Sequence, residues 1–199
     1  MTIQSSATLR KTLREKRQTL TTQQQNEHAL SACQNLLNSK LLQQNKKIAV
    51  FLSQDGELGT EPLIHALWEK QNLEVYLPAL ETQPNWHMGF SPYLPGSRMI
   101  PNRFKIPEPD IPLEQHLSGV DMDLVIMPLV GFDGDGNRMG MGGGYYDRTF
   151  EFKLKEHKQK PLLIGWAHSC QQVQKLDTES WDVPLDAIVT ELGLLSFNK

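Results

Sequence analysis

From Met127 to Arg148 the chain reads MPLVGFDGDGNRMGMGGGYYDR, with seven glycines, two arginines and a Tyr-Tyr-Asp-Arg ending. Gly140, Gly142, Gly143 and Gly144 strip the loop of side chains, so a ligand can approach the backbone closely. Arg138 and Arg148 stand at its two ends, and guanidinium groups make charge-assisted, bidentate bonds to phosphate oxygens. Leu124 to Leu129 before the loop is an apolar run of strand length, and a helix is expected to start near Tyr145. A strand, a glycine loop and a helix start in that order favour anions. Unpaired N–H groups at the helix start point outward, and the helix dipole adds partial positive charge there.

Familiar glycine signatures fail here on named residues. A dinucleotide fingerprint from Gly140 requires glycine where Tyr145 stands. A P-loop from Gly131 reaches Gly136 but then meets Asn137 and Arg138 instead of lysine. A calcium loop from Asp133 has Asp135 and Asn137 in place, yet offers Arg138 for the required glycine and Gly144 for the closing glutamate. The loop is a phosphate cradle of its own kind, or none. If it holds polyphosphate, Mg²⁺ is also needed, and Asp147 with Asp186 would suit an ion that takes one or two carboxylates plus phosphate oxygens. The plainer roles are charge complementarity at a helix start for Asp147 and a turn for Asp186. Tyr145 and Tyr146 offer flat faces for a heterocycle, although Tyr146, like Trp166 and Trp181, is better read as core.

The elements that must position this loop follow from periodicity. Leu9 and Leu13 lie at helical spacing within Ala7 to Arg17, and Thr21 with Gln24 forms a capping box before the stripe Ala29, Leu30, Cys33, Leu36 and Leu37. Ile48 to Leu52 is a continuous apolar run, as in a strand buried on both faces. The polar segment Ser53 to Thr60 then leaves its C-terminal end, where α/β proteins bind ligands, which singles out Glu57. A helix over Glu61 to Lys70 and a strand over Leu73 to Leu80 complete a βαβ step. His87 to Tyr93 suggests an edge strand, and the five prolines between Pro95 and Leu117 suggest an ordered excursion across the sheet. A helix from Tyr145 to His157 and strands at Leu162 to Ala167, Ala187 to Thr190 and Leu194 to Phe197 finish the chain. The pattern predicts one domain over residues 1–199, an α/β fold of three α/β/α layers around a mainly parallel, Rossmann-like sheet, with helices at the N-terminus.

Composition narrows the function. At 199 residues and a net charge of −3 the chain can bury a sizeable core and is not a nucleic-acid binder by bulk charge. Arg10, Lys11, Arg14, Lys16 and Arg17 nevertheless cluster near the N-terminus, a run that is ordinarily a solvated helix face. Cys33 and Cys170 are far apart, which points to the cytoplasm, and the six histidines show no metal-ligand spacing, so zinc is not expected. No membrane span or signal peptide is expected, and with no heptad pattern or exposed apolar stripe a monomer is expected.

Four stretches together carry a resemblance: PLVGFDGDGNRMGMGGGYYDR at 128 to 148, FLSQDGELGT at 51 to 60, NRFKIPEP at 102 to 109 and WDVPLDAIVT at 181 to 190. Over nearly its whole length the sequence closely resembles the 5-formyltetrahydrofolate cyclo-ligase family, also called 5,10-methenyltetrahydrofolate synthetase. The resemblance implies ATP- and Mg²⁺-dependent conversion of 5-formyltetrahydrofolate to 5,10-methenyltetrahydrofolate, with ADP and phosphate released through a phosphorylated formyl (imidoyl phosphate) intermediate. By motif it implies that Arg138, Met139, Gly140, Met141, Gly142, Gly143, Gly144, Tyr145 and Tyr146 line the ATP phosphates, with Met141 to Tyr145 also near the folate. Asp147 and Asp186 match the magnesium carboxylates, and Leu52 and Glu57 the substrate contacts. Arg138, Glu57 and Tyr145 are the catalytic candidates. Arg10 would reach ATP; Ser6 stands where related sequences often carry lysine, so Lys11 or Arg14 substitutes or the contact is absent. Lys105 or Lys153 could steer a glutamate tail. The competing readings are a sugar-phosphate isomerase or coenzyme A transferase relative on the same fold, which needs no ATP, and a non-catalytic folate- or nucleotide-binding protein.

Overall fold

The computed structural model describes residues 5–80, 87–156 and 160–197. In chain order, α1 (Ser6–Gln18) and α2 (Thr22–Leu37) precede β1 (Lys47–Ala49), α3 (Glu61–Trp68), β2 (Glu74–Leu80) and β3 (Met88–Pro92). A small hairpin of β4 (Met99–Pro101) and β5 (Pro107–Pro109) leads to β6 (Leu124–Pro128). A second hairpin of β7 (Gly131–Phe132) and β8 (Arg138–Met139) precedes α4 (Tyr145–Phe150), α5 (Phe152–Glu156), β9 (Leu162–Trp166), β10 (Ala187–Thr190) and β11 (Gly193–Ser196). Seven strands form one sheet in the order β11-β10-β9-β6-β1-β2-β3. Its five central strands are parallel, and β3 and β11 close the edges antiparallel.

Alternation along the strands builds the layers, since successive side chains point to opposite faces. Ile48, Val75, Leu124, Ile126, Ile164 and Val189 face one core, which α2 and α3 cover with Ala32, Cys33, Leu36, Leu63 and Leu67. Ala49, Tyr76, Val125, Met127, Leu163 and Ile188 face the other, filled by Phe150, Phe132, Met122 and Leu185. Both faces are thus buried and the three-layer α/β expectation is met. The capping box at Thr21 and Gln24 opens α2 as expected.

Several local expectations differ. The β1 ladder is shorter than the apolar run from Ile48 to Leu52, because the chain turns into the Ser53–Thr60 loop. The helix expected from Tyr145 to His157 breaks at Glu151 into α4 and α5, and its last residue lies outside the described ones. Trp181, expected in the core, is 63% exposed, whereas Trp166 is buried. Among the described residues no helix is long and apolar enough to cross a membrane.

Candidate active site

Helix α1 lies across the loops that follow β1 and β6, and its basic residues are engaged rather than uniformly solvated. The Arg17 side chain is 1% exposed. Its Nε donates to the Asp55 carbonyl at 2.9 Å and one NH₂ to the Leu129 carbonyl at 3.3 Å. Its other NH₂ lies 3.1 Å from Asp55 Oδ2 and 3.7 Å from Glu57 Oε1. Leu13 fills the space beside Gly131, where an added Cβ would come within 2.5 Å of Leu13 Cδ1. Arg10 Nε donates to the Gly140 carbonyl at 2.8 Å, which fixes the start of the glycine loop. Arg14 turns instead to Asp55, with Nε and NH₂ each 2.8 Å from Oδ2, and Lys11 pairs with Glu15 on the exposed helix face.

Glu57 is held on the loop after β1. Its Oε2 accepts from the Gln54 backbone N–H at 3.0 Å. Burial pushes its carboxyl pKa up, against the opposing pull of the Gln54 N–H and the Arg17 charge. Asp55 is held down by the Arg14 hydrogen bond and by the charges of Arg14 and Arg17, which outweigh burial. The Tyr146 hydroxyl is raised by burial and further by the Glu57 charge, while Arg138 opposes it. Glu57 and the glycine loop therefore share one electrostatic environment. The Tyr146 ring itself stacks on Phe150 with centroids 6.4 Å apart, in keeping with its core reading.

The β7–β8 hairpin returns the chain so that Arg138 enters the loop correctly aimed. Asp133, fully buried, organises its tip by accepting from the backbone N–H groups of Asp135, Asn137 and Leu176 and from the Asn137 amide. Burial pushes the Asp133 carboxyl up, but these four donors outweigh it and hold the pKa below the ordinary value. Arg138 NH₂ then meets Asp147 Oδ1 at 2.5 Å, and the Val183 N–H donates to the same oxygen at 3.2 Å. Gly144 caps α4 in the left-handed conformation, φ 64°, which suits glycine. Arg148 folds back over the loop, donating from NH₂ to the Gly143 carbonyl at 2.6 Å. The Nε atoms of Arg138 and Arg148 are both buried and have no hydrogen-bond acceptor.

Beside the loop opens a cleft of about 570 Å³ lined by Arg103, Phe104, Gly143, Tyr145 and Arg148. Arg103 and Phe104 come from the proline-broken excursion. Asn102 Oδ1 accepts from the backbone N–H groups of Phe104 and Ile106, at 2.8 and 3.0 Å, and so fixes that turn. The Phe104 ring stands edge-on to Tyr145, centroids 6.3 Å apart and planes at 85°. Arg103 donates to the Tyr145 hydroxyl, and the guanidinium carbons of Arg103 and Arg148 lie 5.9 and 5.2 Å from the Tyr145 ring centroid. The cleft thus combines two aromatic faces with two cations, a fit for a flat, anionic ligand. The sequence assigns Arg103 and Phe104 no role beyond their place in the NRFKIPEP stretch, and Arg17 reads there as one cation of a solvated helix face; a large apolar Phe104 between Arg103 and Lys105 in a proline-bounded turn is the available signal for the first two.

The other candidates are dispersed. Met139 is buried under the loop and Met141 is exposed. Leu52 lines a second, smaller cleft of about 270 Å³ with Ser53, Thr60, Trp68 and Tyr93. Asp147 and Asp186 border the same turn, Asp147 through Val183, but face different cations: Asp186 Oδ2 accepts from Lys153 Nζ at 3.0 Å and from the Leu163 N–H at 2.8 Å. Lys153, considered for a glutamate tail, is buried and also donates to the Pro161 carbonyl at 2.5 Å, so it is not available there; Lys105 remains exposed.

The profile of the 5-formyltetrahydrofolate cyclo-ligase family matches residues 2–191. Proteins named 5-formyltetrahydrofolate cyclo-ligase from Escherichia coli K12 and Haemophilus influenzae are each 42% identical to the chain. The alignments cover 89% and 93% of this chain and 96% and 97% of those proteins, respectively. Among solved structures, the 5,10-methenyltetrahydrofolate synthetase of Aquifex aeolicus superposes with a TM-score of 0.81 at 27% identity, covering 98% of this chain and 93% of that one. A match of this extent, on a fold whose glycine loop, Glu57 and α1 arginines converge, shows that the chain belongs to the 5-formyltetrahydrofolate cyclo-ligase family.

Proposed function

We propose that the chain converts 5-formyltetrahydrofolate to 5,10-methenyltetrahydrofolate at the expense of ATP, with the glycine loop as the polyphosphate site. The observation that carries the ATP site is the pair of buried, acceptor-less Nε–H groups of Arg138 and Arg148 at the two ends of the loop. Buried donors without partners are rare in folded proteins, and a phosphate oxygen satisfies them with charge-assisted bonds. Arg10 holds the Gly140 end of the same loop, and Arg14 is committed to Asp55. Asp147, which Arg138 ties to the loop, is the carboxylate we assign chiefly to Mg²⁺, with Asp186 as the second: Arg138 and Val183 both use Asp147 Oδ1, and Lys153 and Leu163 both use Asp186 Oδ2.

The reaction balances as follows. The formyl oxygen attacks the γ-phosphorus and ADP leaves; N10 then attacks the formyl carbon, phosphate departs with that oxygen, and N10 loses its proton. Arg138 and Arg148 neutralise charge moving between the phosphoryl oxygens, which is most of what phosphoryl transfer asks of a protein. Tyr145 and Phe104 offer faces to the pterin, Glu57 accepts from its ring donors, and Leu52 supplies apolar contact.

The test is growth of the methenyl chromophore when purified protein meets 5-formyltetrahydrofolate, Mg²⁺ and ATP. Growth that requires ATP is the expected result. Growth without ATP would remove the phosphorylation step, and folate binding without growth in any condition would make the chain a carrier.

A further inference from the structure

Three side chains from distant parts of the sequence meet at the C-terminal edge of the sheet, beside α2. His28 comes from α2, His168 from the turn after β9, and Glu191 from the residue after β10. His28 Nδ1 lies 2.9 Å from His168 Nδ1 and 3.8 Å from Glu191 Oε1, and one donor atom from each residue falls within 4.8 Å of the others. In a tetrahedral site with bonds of about 2.0–2.2 Å, donor atoms stand roughly 3.3 Å apart, so separations of 2.9 Å, 3.8 Å and no more than 4.8 Å bracket that spacing to within about 1.5 Å.

The environment matches that geometry. The Glu191 side chain is 9% exposed, and among the described residues no lysine or arginine pairs with it. Ser169 fixes its orientation instead: the backbone N–H donates to Oε2 at 2.9 Å and the hydroxyl to Oε1. Ser169 therefore acts on the carboxylate as the supporting shell of a metal site does. His168 is fully buried, while His28 is 23% exposed and leaves a path from solvent. Two imidazoles and one carboxylate make a donor set of mixed nitrogen and oxygen, suited to zinc-class ions and not to Mg²⁺, which prefers oxygen alone.

We propose that His28, His168 and Glu191 form a binding site for a divalent transition-metal ion of the zinc class, separate from the ATP site. The ion would tie α2 to the ends of β9 and β10. A spacing of 140 residues between the two histidines is why no motif announces it.

The experiment uses untagged, metal-stripped protein without ATP or folate. Zn²⁺ is titrated by calorimetry and in thermal melts, and Co²⁺ is followed by its visible absorption. The expected result is one equivalent bound, a rise in Tm and a tetrahedral Co²⁺ band, with affinity at least tenfold weaker in both His28→Ala and Glu191→Gln. His28 is partly exposed on α2, so its variant should retain the fold, as circular dichroism would verify; if Glu191→Gln unfolds, His28→Ala alone decides. Absence of saturable one-equivalent binding would overturn the proposal, and so would unchanged binding in His28→Ala, which would place the ion elsewhere.

Discussion

Arg138 meets Asp147 at 2.5 Å through one NH₂ while the buried Nε of the same guanidinium has no acceptor. One side chain is thus both fixed in place and left with a donor for a ligand. Arg138→Ala is expected to lower kcat by roughly 10²-fold, or about 3 kcal/mol of transition-state stabilisation. Steady-state rates with saturating ATP would show it, and wild-type turnover in this variant would remove Arg138 from the mechanism.

Two glycines of one loop should respond differently to the same methyl group. At Gly144 the backbone has φ 64° and an added Cβ would lie 2.7 Å from the Arg148 guanidinium, whereas at Gly140 the nearest contact is 4.0 Å. Gly144→Ala should cost about 1 kcal/mol of stability from the left-handed backbone alone, and should raise the KM for ATP by displacing Arg148. Gly140→Ala should be close to neutral in thermal melts. Equal effects at the two sites would contradict this account of the loop.

Carboxylate titration on the loop after β1 runs in two directions. Burial raises Glu57, so its ionisation costs the folded state stability as pH climbs from the ordinary value of 4.5 toward the raised one. Asp55 is depressed by Arg14 and Arg17, so its contribution is fully present above 3.8 and is lost as pH falls through the lower folded value. The Arg17 charge pulls the Glu57 pKa down, and Arg17→Met should therefore move the acid limb of kcat/KM to higher pH, with a smaller shift in Arg17→Lys. An acid limb identical in all three proteins would separate Arg17 from Glu57.

Lys153 and Asp186 form a pair whose side chains are only 5% and 20% exposed. Lys153→Met removes the charged partner of Asp186, which keeps the Leu163 N–H, and should destabilise the protein by about 2 kcal/mol, seen as an earlier urea midpoint. Asp147→Asn and Asp186→Asn can then be compared for Mg²⁺ dependence. A larger rise in the Mg²⁺ requirement for Asp147→Asn is the expected order; the reverse would assign the ion chiefly to Asp186.

Local signals foretold the glycine loop well, because the apolar run ending near Leu129, the glycines and the start of α4 are consecutive in sequence. Continuous apolar runs such as Ile48 to Leu52 likewise point to a sheet buried on both faces. What local signals could not show was partnership across the fold. Arg17 looks like any other cation of a basic helix until its contacts with Asp55, Glu57 and Leu129 are seen. Arg103 and Phe104 belong to the site because Asn102 pins their turn, a side-chain contact that periodicity does not encode. Trp181 misleads for the opposite reason: its apolar bulk sits in a surface turn before Asp186, where no layer covers it.

The docking of α1 also bears on when the protein becomes competent during synthesis. Arg17 and Arg10 bind carbonyls that lie 112 and 130 residues further along the chain. Helix α1 therefore waits, without these contacts, until the β6 strand and the glycine loop have emerged. A nascent chain halted before that loop can form parts of the sheet, but its α1 lacks the Leu129 and Gly140 carbonyls that fix the helix in the finished fold.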